Sequence, residues 1–122
     1  MAHVLIVDDE PSIRISLREF AIREGHRVDV AGDVDEALLA VEAHPPDIIV
    51  TDIILPRRGG FELLALSREK HPGIRVILIT GEATAEAAAE AMKRGAFDFL
   101  PKPILRSDFL LSLQRAQEAI SS

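Results

Sequence analysis

The sequence predicts an α/β fold, a doubly wound parallel sheet of five strands with five helices, and three observations carry that expectation. Short apolar runs alternate strictly with longer amphipathic ones along the 122 residues. Three of the short runs are apolar throughout, the pattern of parallel strands covered on both faces rather than half-exposed antiparallel ones. Three of the longer runs open on Pro, Asp or Thr, and three close on Gly or Pro-Gly, as helices do. Strict alternation of strand and helix implies right-handed crossovers and an open sheet.

The elements follow in order. Val4–Val7 reads as a fully buried first strand, and Pro11–Glu24 as a helix with Ile13, Leu17, Phe20 and Ala21 on one stripe. Pro11 suits its first turn and Gly25 its end. Val28–Val30, interrupted by Asp29, reads as an edge strand. Asp33–His44 is a helix with Ala37, Leu38 and Val41 inward and Asp33 as N-cap. Ile48–Val50 is the third strand. Phe61–Lys70 is a helix carrying Leu63 and Leu64, closed by Pro72-Gly73. Val76–Ile79 is the fourth strand, the alanine-rich Thr84–Arg94 the fourth helix, and Gly95 its C′ residue. Phe97–Leu100 reads as the other edge, and the last helix runs from about Ser107, a cap candidate, to Ile120.

Length and composition exclude several classes. Residues 1–122 fit one domain with no appended output module. With no Cys there is no disulfide framework, thiolate metal site or cysteine nucleophile. A net charge of −6 with no basic stripe argues against direct nucleic-acid binding. No apolar run approaches the ~18 residues needed to cross a bilayer, and the acidic Asp8-Asp9-Glu10 follows the first strand where a secretory signal would not tolerate it. A soluble, cytoplasmic protein is expected.

In an open parallel sheet the functional crevice lies beyond the carboxyl ends of the strands. There the first strand ends in Asp8-Asp9, the third in Asp52, the fourth in Thr80 and the fifth in Lys102, between Pro101 and Pro103. Three carboxylates in one place repel one another unless one is protonated, a cation lies beside them, or a hard metal binds. Mg2+ fits best, since it takes one or two carboxylates and leaves positions for a phosphate; scattered His and absent Cys disfavour Zn2+. Lys102 would supply a compact positive charge and Thr80 a hydroxyl donor to a phosphoryl oxygen. That is a set for in-line phosphoryl transfer to an Asp, giving an aspartyl phosphate.

These residues resemble the receiver domains of two-component response regulators over essentially the whole chain. Val7-Asp8-Asp9-Glu10, Asp52 with Pro56 and Gly60 after it, Thr80-Gly81, Gly95-Ala96 and Lys102-Pro103 stand where that family's pattern puts them. The resemblance implies a flavodoxin-like, CheY-like sheet of order 2-1-3-4-5. It implies that Asp52 is the phosphoacceptor, that Asp8, Asp9, Asp52 and the backbone carbonyl of Ile54 hold Mg2+, and that Thr80 and Lys102 bind the phosphoryl group. The Lys102–Pro103 peptide is expected to be cis. Thr80 and Phe99 are implied as the switch, acting on a face formed by helix four, strand five and helix five. The implied partners are a sensor histidine kinase or phosphotransfer protein and an output domain or target, with a homodimer possible through that face. Lys93, Arg94, Arg106 and Arg115 are candidates to meet Asp98 across such a dimer, although a solvated helix face explains them as well. Catalysis would extend only to the domain's own phosphorylation and autodephosphorylation, so it is not expected to be an enzyme otherwise.

The chain departs from the family's pattern in one loop. Arg57-Arg58-Gly59 stands where receivers often carry an acid, which points to anionic donors or an acidic partner. Ile54 and Glu82 occupy positions that tune water access in the family. Among rivals, a haloacid-dehalogenase-type phosphotransferase would want Asp-x-Asp after the first strand and a cap domain, and a flavodoxin would want a phosphate loop and a Trp or Tyr. A receiver fold used only for interaction would not need the phosphorylation residues, all of which are present.

Overall fold

The structure, a computed structural model, describes residues 1–121. Its elements run β1 (His3–Val7), α1 (Pro11–Arg23), β2 (Arg27–Ala31), α2 (Val34–Ala43), β3 (Ile48–Asp52), α3 (Gly60–Lys70), β4 (Arg75–Thr80), α4 (Ala85–Lys93), β5 (Asp98–Pro101) and α5 (Arg106–Ser121). The strands form one parallel sheet in the order β2-β1-β3-β4-β5. No helix among the described residues is long and apolar enough to cross a membrane.

Packing on both faces of the sheet explains why the central strands are apolar without alternation over Val4–Val7, Ile48–Val50 and Val76–Ile79. Val4, Ile6, Ile48, Val50, Ile77 and Ile79 pack against Leu17 and Ala21 of α1 and Phe109, Leu113 and Ala116 of α5. The intervening Leu5, Val7, Ile49, Val76 and Leu78 pack on the other face against Ala37 and Val41 of α2, Leu63 and Leu64 of α3 and Ala91 of α4. Both faces are covered, so a polar residue in mid-strand would be buried without a partner. β2 and β5 sit at the edges, and Asp29 of β2 is exposed.

Asp33 caps α2, accepting the Glu36 N–H at 2.8 Å, and Thr84 caps α4 from the Ala87 N–H at 3.0 Å. Gly25 and Gly95 follow the ends of α1 and α4 with φ of 90° and 92°, the left-handed region where a side chain is strained. Ser107 is not a cap. α5 starts a residue earlier, and the Phe109 N–H bonds the Leu105 carbonyl, which puts Ser107 inside the first turn. Asp98 accepts the Ser112 hydroxyl at 2.7 Å and the Phe99 N–H at 2.8 Å, so it ties β5 to α5 within the chain.

Candidate functional site: an acidic pocket at the strand ends

The parallel register brings the C-terminal ends of β1, β3 and β4 side by side, with Val7 opposite Thr51 and Asp52 opposite Ile79. Residues just past those ends therefore crowd together although they are distant in sequence. Oxygens of Asp8, Asp9, Glu10 and Asp52 all lie within 4.8 Å of one another. Asp8 is fully buried and Asp52 is 5% exposed, while Asp9 and Glu10 are exposed.

Asp52 is fixed from both sides. Its Oδ1 accepts the Ile54 N–H at 3.1 Å, which folds the loop after β3 back over the strand end. Gly60, the first residue of α3, comes so close that an added Cβ would stand 2.2 Å from the Asp52 carbonyl oxygen. Only glycine permits that approach, because the obstacle is backbone and cannot rotate away.

Lys102 reaches in from the loop after β5. Its Nζ lies 2.7 Å from Asp52 Oδ2, 2.9 Å from Asp8 Oδ2 and 3.0 Å from Glu10 Oε1, and the Lys102–Pro103 peptide is cis. Burial alone would lower the Lys102 pKa, but its contacts with Asp52, Asp8 and Glu10 outweigh burial and hold the ammonium protonated well past the ordinary range. Burial pushes the Asp8 carboxyl above its usual value, against the opposing pull of the Glu10 N–H and of Lys102. Although Lys102 is close, no donor is aligned on Asp8 Oδ2 with hydrogen-bonding geometry. The contact is an ion pair, and that buried oxygen retains an unfilled acceptor site.

This donor set fits a hard divalent cation such as Mg2+. Every candidate ligand is a carboxylate oxygen, and one of them is buried and unsatisfied. Thr80 sits at the end of β4, 1% exposed, with its hydroxyl accepting the Glu82 N–H at 3.1 Å. Phe99 of β5 is half-buried, paired in register with Leu78 and packed on the α2–α3–α4 face.

Two features go beyond the sequence reading. Glu10 was given no role there, yet it shares Lys102; the third acid in Asp8-Asp9-Glu10 was the signal. Arg57 and Arg58 meet acids of this chain. Arg57 pairs with Asp33 at 2.9 Å, and Arg58 with Asp35 at 2.7 Å and Glu62 at 2.8 Å, so acids of α2 and α3 and the α2 cap take up both charges. Arg94 likewise is engaged, lying over the Phe61 ring and paired with Glu90.

The sequence matches the family described as response regulator receiver domain over residues 4–114. It is 39% identical over 98% of its length to the nitrogen assimilation regulatory protein NtrX of Azorhizobium caulinodans, 27% of which is covered. It is 35% identical over 93% of its length to the DNA-binding transcriptional regulator NtrC of Proteus hauseri, 24% of which is covered. The crystal structure of the receiver domain of NtrX from Brucella abortus superposes with a TM-score of 0.89 at 37% identity, covering 94% of this chain and 98% of that one. The chain thus spans about a quarter of the length of these curated relatives.

Proposed function

The chain belongs to the response regulator receiver domain family, and from that premise we propose that Asp52 is the residue that accepts the phosphoryl group, in a Mg2+-dependent reaction. The convergence of Lys102 Nζ on Asp52 and Asp8, from a loop 50 residues beyond Asp52, carries this reading. A receiver is a signalling domain; the only catalysis proposed for it is of its own phosphorylation and dephosphorylation.

Asp52 Oδ attacks phosphorus, and the bond from phosphorus to the leaving group of the donor breaks with its electron pair, leaving an acyl phosphate. Asp8, Asp9, Asp52 and the Ile54 carbonyl would hold Mg2+, which when bound offsets the negative charge that incoming phosphoryl oxygens bring to the carboxylates. Glu10, at the rim, shares Lys102 in the resting state. Once Asp52 is phosphorylated, Lys102 has lost one of its two buried anionic partners, and its ammonium turns to a phosphoryl oxygen instead. The Thr80 hydroxyl donates to a second oxygen, which takes it from the Glu82 N–H, and Phe99 moves into the space vacated. The face of α4, β5 and α5 then changes its preference among partners.

The phosphodonor proposed is a sensor histidine kinase or a phosphotransfer protein, and the responder an output domain, a target protein or a second copy. The NtrC relative is named as DNA-binding, so a DNA-binding output is proposed. That qualifies the expectation of no nucleic-acid partner: with a charge of −6 and no basic stripe, this segment would leave the phosphate contacts to other residues. Intact-mass measurement after incubation with acetyl phosphate and Mg2+ tests the site. Wild type should gain one phosphoryl group, and EDTA or Asp52→Asn should prevent it. Equal labelling of Asp52→Asn would overturn the assignment.

A further inference from the structure

We propose that Arg14 is a positioning residue for the cation-facing oxygen of Asp8, an inference that rests on the reading of Asp8, Asp9 and Asp52 as Mg2+ ligands. α1 begins at Pro11, its N-cap Glu10 makes no side-chain cap bond, and it carries no acid in its first turn. Arg14 stands one turn in, where its charge opposes the partial positive charge of the helix N-terminus. Helix stability does not explain that choice. Its Nη1 donates to the backbone carbonyl of Asp8 at 2.6 Å. The same nitrogen lies 3.3 Å from where a Cβ on Gly32 would stand, so the guanidinium sits between the end of β1 and the turn before α2.

The rest of Asp8 is committed as well. Its N–H donates to the Ala31 carbonyl at 3.1 Å, and its Oδ1 accepts the Glu10 N–H at 2.9 Å. Oδ2 alone faces the pocket, buried, with Lys102 Nζ 2.9 Å away as an ion-pair partner but no donor aligned on it. Arg14 therefore completes a set of bonds that fixes both the peptide plane and the carboxylate of Asp8, in the way outer partners orient metal ligands.

Two effects of opposite sign separate this role from a bystander's. As a bare charge beside four acids, Arg14 repels a divalent cation, and removing it would tighten binding. As a clamp, it holds a ligand in place, and removing it weakens binding. A half-exposed guanidinium is screened by solvent and salt, whereas loss of a ligand's outer partner costs about 10–100-fold in metal affinity. The clamp prevails.

The test is a Mg2+ titration without phosphodonor, following the backbone amides of Asp9, Glu10 and Ile54 by two-dimensional NMR in wild type, Arg14→Ala and Arg14→Lys. Arg14→Ala should bind Mg2+ about tenfold more weakly, and Arg14→Lys, which keeps a charged donor, should recover part of the loss. Unchanged or tighter binding by Arg14→Ala overturns the proposal, and so does a loss that Arg14→Lys does not recover. Should Arg14→Ala fail to fold, Arg14→Lys decides alone: binding weaker than wild type, as expected from a shorter side chain without the planar guanidinium, supports the clamp, and equal or tighter binding overturns it. A wild type whose amides ignore Mg2+ would instead remove the cation site on which the inference rests.

Discussion

Removing the Lys102 ammonium while keeping its stem, as in Lys102→Met, should destabilise the protein in a manner that Mg2+ and acid both relieve. Nζ stands 2.7 Å from Asp52 and 2.9 Å from Asp8, whose side chains are 8% and 0% exposed. Each pair has a gross attraction of about 6 kcal/mol at an effective dielectric constant of ~20, most of it offset by desolvation. Glu10, at 56% exposure, adds little. Breaking a buried pair by deleting one partner costs about 3–5 kcal/mol. Asp8 is already pushed toward its neutral form and can shed part of that loss by taking a proton, so the lower figure applies, a fall in Tm of roughly 10 °C for a domain of this size.

The sign of the pH dependence follows from Asp8. Its folded pKa lies above the unfolded 3.8, so its contribution is fully present below 3.8 and lost as pH rises through the folded value. The gap between variant and wild type should therefore be widest at neutral pH and close in acid. Lys102 has the same sign: its contribution is full below 10.5 and lost only as pH rises through its higher folded value. The assay is urea unfolding by far-UV circular dichroism in EDTA and in millimolar Mg2+, since the chain has no Trp or Tyr for fluorescence. Mg2+ should stabilise the variant more than wild type, because Lys102 no longer competes for the same oxygens. A loss in EDTA below about 0.5 kcal/mol, the range of ordinary surface changes, or an equal Mg2+ effect on both proteins, would refute the reasoning.

Other expectations concern the frame around the pocket. Gly60→Ala would put a Cβ 2.2 Å from the Asp52 carbonyl oxygen and 3.0 Å from the Ile53 Cα; it should cost about 1–3 kcal/mol or more and slow acetyl phosphate labelling, as melting curves and intact mass would register. Asp33→Ala removes the α2 cap and the Arg57 partner, for a loss of about 1–2 kcal/mol in urea unfolding that comes mainly from the cap and so changes little with salt. Burial, and then the positive N-terminus, lower the His26 pKa from 6.5. Its stabilisation is therefore present above pH 6.5 and lost as pH falls through the folded value, and His26→Asn should flatten that limb of the stability profile relative to wild type.

The parallel sheet and the site at its carboxyl ends were legible because strands written in Val, Ile and Leu leave little choice of face, whereas the strand order rested on the resemblance to receiver domains. The residues that close each strand, Asp8, Asp52, Thr80 and Lys102, then fall at one end. What could not be read was pairing between exposed chains. Arg57 and Arg58 looked like free charge beside a pocket, but nothing in a local pattern says that the first turn of α2 lies across from them with Asp33 and Asp35. The bond of Asp98 was equally illegible: its partner Ser112 is 14 residues on, in α5, and a hydroxyl leaves no periodic trace. Ser107 resembled a cap because Ser favours that place, yet the chain after Pro103 turns helical one residue earlier.

The resting contacts also bear on how sharply such a domain would respond. On the proposed reading Thr80 would give up its bond with the Glu82 N–H, worth about 0.5–1.5 kcal/mol, for a bond to a charged phosphoryl oxygen worth about 1.5–3 kcal/mol. The surplus of roughly 1–2 kcal/mol moves an equilibrium by about 5- to 30-fold. A bias of that size flips a switch only if the two states start near balance. Phe99 is compatible with that balance: it is half-buried against Leu78 rather than locked in the core, so turning it sacrifices little packing. The neighbouring Asp98 bond to Ser112 anchors α5 to the start of β5. On this reading the response begins at the Phe99 side chain and the surface beside it, while the strand that carries Lys102 to the pocket keeps its place.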